Sequence, residues 1–311
     1  MIITHTDYEG LAAIVMEDEC LRAVVIPGWG GKIASLYDLR HDREWLHRNP
    51  HLPYRLPAYG DNYVRDFDAG GFDECFPNIS AGDYPVTPWQ DTPLPDHGEV
   101  WSLPWQVSED DEELHLAVSG VRLPYWLEKT LTLEDGCLRC DYRLANPTSF
   151  PMAFVWSSHP TFAVQPGLRL HLPATSVQVE GALGPFPARA GETVAWPVVG
   201  GVDRSILPPR DAGTATKLFA MKLDGGRVAL EDPESGASIA LHFDPELIPN
   251  VGLWMNFGGW AGIPDVPNYY NLAIEPCIGA ADSVTDAMRN GTAGWLPAHG
   301  ERRWWLEFRV A

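Results

Sequence analysis

Apolar and polar residues alternate with a period of two along most of this chain, and the 3.6-residue repeat of a helix is rare. Leu127, Lys129, Leu131 and Leu133 fall on one face of an extended segment. Leu138, Cys140, Tyr142 and Leu144 share a face of the next, after Glu134-Asp135-Gly136. The two segments read as strands joined by a tight turn. Val228 and Leu230, then Ile239, Leu241 and Phe243, flank a second turn at Asp232-Pro233-Glu234-Ser235-Gly236. The last strand sets Trp304, Leu306, Phe308 and Val310 against Arg303, Trp305, Glu307 and Arg309. Leu21 to Ile26 and Leu168 to Leu172 add further strands. Asp282 to Asn290 alone reads as a helix, with Asp282 or Ser283 as N-cap and Gly291 as stop. So many short strands predict an all-β fold, a large antiparallel β-sandwich with few short helices. Such sandwiches stay undivided at this size, so residues 1–311 are expected to form one domain.

The formal net charge is −20, from 42 acidic and 22 basic residues. That surface repels nucleic acid and anionic membranes. The first ten residues are polar and no apolar run reaches membrane-spanning length, so a cytoplasmic location is expected. The five cysteines (20, 75, 137, 140 and 277) are an odd set, and Cys137 and Cys140 have no second CxxC, so reduced thiols rather than a zinc site are expected. The motifs GxSxG, GxGxxG, HExxH and the P-loop are missing from the sequence.

Asn271-Leu272-Ala273-Ile274-Glu275-Pro276 carries a carboxylate on an apolar strand that proline is expected to end. Burial there would raise the Glu275 pKa and make it a better base at neutral pH. Leu94-Pro95-Asp96-His97-Gly98-Glu99 holds His97 in a turn between acids, either of which could fix its tautomer. Ser158-His159-Pro160-Thr161-Phe162 places a second imidazole after a β-like stretch, suited to general acid work. Gly70-Gly71-Phe72-Asp73-Glu74-Cys75-Phe76-Pro77-Asn78 offers two carboxylates, on opposite faces if extended, that could accept hydrogen bonds from sugar hydroxyls. Among thirteen tryptophans, Trp254 stands between a probable strand and a glycine-rich loop, where a flat ring could meet the C–H face of a sugar.

Taken in order, four of these segments resemble the galactose mutarotase-like, or aldose 1-epimerase, family. They are Gly70-Gly71 through Phe76-Pro77-Asn78, Leu94-Pro95-Asp96-His97-Gly98, Ser158-His159-Pro160-Thr161-Phe162 and Asn271 through Pro276. The resemblance implies a β-supersandwich and a ring-opening reaction that interconverts the α and β anomers of a neutral aldose. In it, Glu275 would be the base, His159 the acid, and His97 would bind the sugar or assist at the ring oxygen. Asp73, Glu74, Asn78 and Trp254 would bind substrate. The reaction needs neither a metal nor an organic cofactor, and the partner is a monosaccharide met by a monomer or homodimer. Asn62-Tyr63-Val64-Arg65 stands where the family carries an Asn-Arg pair, and Asp244 stands near the place of its substrate-binding Asp. A hexose-phosphate epimerase would need a basic cluster for phosphate, and a polysaccharide lyase a basic cleft; the charge balance disfavours both. A sugar-binding protein on the same scaffold would not need an acid–base pair.

Overall fold

The computed structural model describes residues 1–110 and 112–311. Two antiparallel sheets face each other. The larger, of twelve strands, runs Ile2–Tyr8, Leu11–Glu17, Leu21–Ile26, Lys32–Asp38, Gly71–Cys75, Trp156–Ala163, Tyr270–Ile278, Asn250–Phe257, Thr214–Ala220, Ser176–Leu183 and Thr193–Ala195, with Arg43–Glu44 beside Lys32–Asp38. The smaller, of eight, runs Arg169–His171, Arg227–Glu231, Ser238–Phe243, Glu301–Val310, Cys137–Ala145, Trp126–Glu134, Leu114–Ser119 and Gln106–Glu109. This is the all-β, two-layer architecture that the alternation predicts.

The alternation becomes burial directly. Leu127, Lys129, Leu131 and Leu133 are buried, while Trp126, Glu128, Thr130 and Thr132 lie at the surface. Leu138, Cys140, Tyr142 and Leu144 line the same interior, joined across Glu134 and Cys137 by the turn at Asp135-Gly136, both with left-handed φ. Trp304, Leu306, Phe308 and Val310 complete that layer. Phe72, Phe162, Leu272, Ile274, Leu253 and Leu218 come to meet them from the large sheet. The predicted helix forms at Val284–Arg289, with Ser283 as N-cap accepting from the Asp286 amide at 3.0 Å.

A cluster of polar side chains interrupts this core. Lys129 donates to Glu74 Oε1 at 2.9 Å and to the Gly31 carbonyl at 2.8 Å, and the Tyr142 hydroxyl donates to the same Glu74 oxygen at 2.9 Å. All three side chains are buried. Burial pushes the Glu74 carboxyl up from its ordinary value, against the pull of the Lys129 ammonium. Glu74 therefore faces the inter-sheet core, and its expected place among the substrate-binding residues is corrected: strand alternation turns it away from its neighbour Asp73.

Breaking this pair from one side should be costly. Lys129→Met is expected to destabilise the fold by about 3–5 kcal/mol at neutral pH, measured by urea unfolding. The loss should shrink at acid pH, where the stranded carboxyl takes a proton, and Lys129→Met with Glu74→Leu should recover much of it. A loss below about 1 kcal/mol at neutral pH would show that the pair carries no structural weight.

Candidate functional site

The outer face of the large sheet carries the site. The Gly71–Cys75 strand pairs with Trp156–Ala163 so that Asp73 lies opposite His159. Trp156–Ala163 pairs with Tyr270–Ile278 at Ser157–Cys277 and again at Thr161–Ala273. Continuing that register brings His159 opposite Glu275, and Glu275 in turn pairs with Gly252. One row across four central strands therefore reads Asp73, His159, Glu275, Gly252, with all side chains on one face. The adjacent row on that face holds Thr161, Ala273, Trp254 and Lys217.

The strand bearing Glu275 does not stop there. It continues through Pro276 to Ile278, so the expected strand end is corrected to a mid-strand position. Between the two flanking pairs the ladder to the His159 strand opens. Pro160 and Pro276 both lie in that interval, where neither has an N–H to contribute. The Ser158 hydroxyl donates to the Pro276 carbonyl at 2.9 Å instead.

His159 Nδ1 lies 3.0 Å from Glu275 Oε1. The other carboxylate oxygen, Oε2, accepts from the Lys217 ammonium, with the Ser157 hydroxyl at 3.4 Å. Lys217 reaches it from the Thr214–Ala220 strand, across Gly252. A side chain at Gly252 would force Glu275 to shift: a Cβ there would lie 2.9 Å from Glu275 Oε2 and 3.3 Å from the Phe219 ring. Glu275 is completely buried. Desolvation alone would raise its pKa, as expected from the sequence. The ammonium of Lys217, then His159, outweigh that and bring the carboxyl down to about 2. The expected rise is thus corrected to a fall, and the cause is Lys217.

Loops complete the walls. His97 sits in a left-handed turn (φ 59°) ahead of Gly98 (φ 77°), where a Cβ would collide with the Phe76 carbonyl. Its ring stacks on Tyr63 at 3.9 Å and stands 5.6 Å from the His159 ring, edge to face. Asp96 Oδ2 lies 3.1 Å from His97 Nδ1, while Glu99 turns away to Tyr59 and the Arg122 amide. Tyr63 belongs to a five-residue turn, Tyr63–Phe67, capped by Asn62, and its hydroxyl donates to Asp73 at 3.0 Å. Lys32 holds the same Asp73 oxygen. The cavity so enclosed, of about 220 Å³, is lined by His97, His159, Glu275 and Trp254 among the expected residues. Trp260 stands edge-on to Trp254 at 5.7 Å, and Asp68, Asp96 and Asp282 add carboxylates. Asp68 is pushed up from its ordinary value by burial, which the nearby His159, His97 and Lys32 charges oppose.

Three expected ligands of the substrate lie elsewhere. Glu74 is in the core. Asp73 lies behind the cavity wall, where it orients Tyr63. Asn78 donates to the Ser80 and Pro95 carbonyls at 2.6 and 2.9 Å, so it ties the His97 loop in place. Arg65 is exposed and pairs with Asp66, and Asp244 caps a turn at the Glu246 amide; neither lines the cavity. Lys217, Tyr63, Asp68, Asp282 and Trp260 line it without having been expected there. Lys217 had a sequence signal: one lysine in the otherwise uncharged and wholly buried strand Thr214–Ala220.

A buried carboxylate, an ammonium and two imidazoles thus share an aromatic-walled cavity on one sheet of a large antiparallel sandwich. The chain belongs to the aldose 1-epimerase family, whose profile matches residues 12–273. The fold is that of galactose mutarotase-like proteins. The Slr1438 protein of Synechocystis sp. PCC 6803 matches with a TM-score of 0.69 at 20% identity, over 100% of this chain and 96% of that one. A galactose mutarotase-like protein from Lactobacillus casei matches with a TM-score of 0.70 at 19% identity, over 96% and 100%. Another from Clostridium acetobutylicum gives 0.70 at 12%, over 99% and 98%. No curated protein matches the sequence.

The charge environment of Glu275 gives a direct test. Its folded pKa lies below the ordinary 4.5, so its ionisation stabilises the fold above that pH, and the contribution is lost as pH falls toward about 2. Lys217, His159, Cys75 and Cys277 face it. Lys217→Met removes the largest of the attractions, so the Glu275 carboxyl carbon should titrate at distinctly higher pH in the variant by NMR. An unchanged titration would assign the depression to His159 instead.

Proposed function

We propose that this protein is an aldose 1-epimerase that interconverts the anomers of a neutral aldose. The observation that carries the proposal is the contact of His159 Nδ1 with Glu275 Oε1 at 3.0 Å in the cavity. The anomeric and ring oxygens of a sugar hang from one carbon. The groups that exchange protons with them must therefore be neighbours, rather than being separated across the ring as a whole.

Glu275 takes the proton of the anomeric hydroxyl and His159 gives one to the ring oxygen. The C1–O5 bond breaks and leaves an open-chain aldehyde. Rotation about C1–C2 presents the other carbonyl face, and the ring closes as His159 recovers its proton from the hydroxyl and Glu275 returns its own to the new anomeric oxygen. His97, fixed by its stack on Tyr63, is placed to hydrogen-bond the sugar. Trp254 and Trp260 supply apolar surface for its C–H faces, and Asp68 and Asp96 accept from hydroxyls.

The cavity's charge favours a neutral substrate. Lys217 is the one lysine or arginine among the described residues that line it, and its charge is already engaged by Glu275. A phosphorylated sugar would find four carboxylates there and, among the described residues, no free lysine or arginine.

Anomer exchange of D-glucose, D-galactose, D-mannose and D-xylose followed by NMR tests the proposal. The protein should accelerate exchange of at least one sugar, and Glu275→Gln or His159→Asn should lower that acceleration by about 10²–10⁴-fold. Sugar binding with no acceleration over buffer would identify a binding protein on this scaffold.

A further inference from the structure

We infer that the Lys217 ammonium has two seats in the cavity, Glu275 Oε2 when the site is empty and Asp282 Oδ1 when a sugar hydroxyl takes Oε2, so that Asp282 is a positioning residue for the acid–base pair. One oxygen of Glu275 meets His159, and the other meets Lys217 with the Ser157 hydroxyl at 3.4 Å. The carboxylate is completely buried among these donors, so a substrate hydroxyl that comes to Oε2 competes with the ammonium for it. The two donors differ in freedom. The His159 ring is held on the strand directly opposite. Lys217 comes from two strands away on a flexible four-carbon stem, through space left open by Gly252.

A displaced ammonium inside the protein needs a new partner. Asp282 supplies one. Its side chain lines the same cavity, and its Oδ1 is buried with no hydrogen-bond partner among the described residues, an unfavourable state for a carboxylate oxygen. Its backbone is anchored, since its carbonyl accepts from the Ile79 and Ser80 amides at 2.9 and 2.7 Å. The seat is therefore stationary while the ammonium moves. Asp282 is also the second carboxylate, after Glu275, whose charge acts on Lys217. The displacing group is a sugar hydroxyl on the reading proposed above; the second seat itself does not depend on that reading.

The ammonium can be followed directly in protein with ¹⁵N-labelled lysine, with Lys217→Met identifying its signal. Glu275→Gln removes the charge of the first seat without any sugar. The Lys217 signal should then shift but stay protected from solvent exchange, and adding Asp282→Asn should abolish that protection. If Asp282→Asn changes nothing in the Glu275→Gln background, the second seat does not exist. Thermal unfolding of each variant separates loss of the signal from loss of the fold. With the sugar that exchanges fastest, Asp282→Asn should lower kcat about tenfold with a much smaller change in KM, and should do nothing further in a Lys217→Met background. An equal loss in both backgrounds would mean that Asp282 acts on the sugar and not through Lys217. If no sugar exchanges faster than in buffer, the proposed function fails, and the Glu275→Gln pair of spectra still decides the inference.

Discussion

Two consecutive carboxylates on one buried strand organise this molecule. Strand alternation sends Asp73 to the outer face of the large sheet and Glu74 to the inner one, and each meets its own buried lysine. The inner pair, with Lys129 reaching over from the small sheet, ties the two layers at the point where their strands cross. The outer pair, Lys32 with Asp73, holds the Tyr63 hydroxyl, and the Tyr63 ring carries His97. Asp73 also fixes the start of the row that continues through His159 to Glu275. A one-residue slip of this strand would exchange the two faces, leaving the core with the wrong carboxylate and the site without its support. Register here is thus enforced from both sides at once.

The parts of this picture that depend on local pattern could be read from the sequence. Alternation located six of the eight strands of the small sheet, missing Gln106–Glu109 and Leu114–Ser119, and Asp282 or Ser283 with Gly291 marked the helix. The two histidines and Glu275 stood out because proline and glycine bracket them. The exception among local patterns is Pro276. It looked like a strand terminator, but the ladder opens around it, so the strand passes through. What stayed hidden depends on partners that only folding brings together. Nothing in Gly71 to Cys75 tells which of Asp73 and Glu74 faces the core, because both faces of that strand are buried. Nothing near residue 275 announces a lysine 58 positions earlier. Tyr63 and Asp282 came into the cavity from a turn and from the residue before a helix cap, whose local signals concern backbone shape.

The reversal at Glu275 follows from the same difference. Burial by itself favours the neutral carboxyl, and a sequence shows burial but not charge partners. Lys217 turns the balance, and it does so at a cost to reactivity. A carboxylate held near pKa 2 stays ionised in the empty site, yet it is a weak base while both donors remain on it. An unpaired Glu275 in the same place would be more basic and would also be protonated for much of the time. The arrangement resolves that conflict if pairing and release occur at different stages: the ammonium keeps the carboxylate charged while the cavity is empty, and the incoming hydroxyl takes its place. On the proposed mechanism, the basicity that matters for ring opening belongs to the occupied site, where the hydroxyl and His159 are the groups that Glu275 meets.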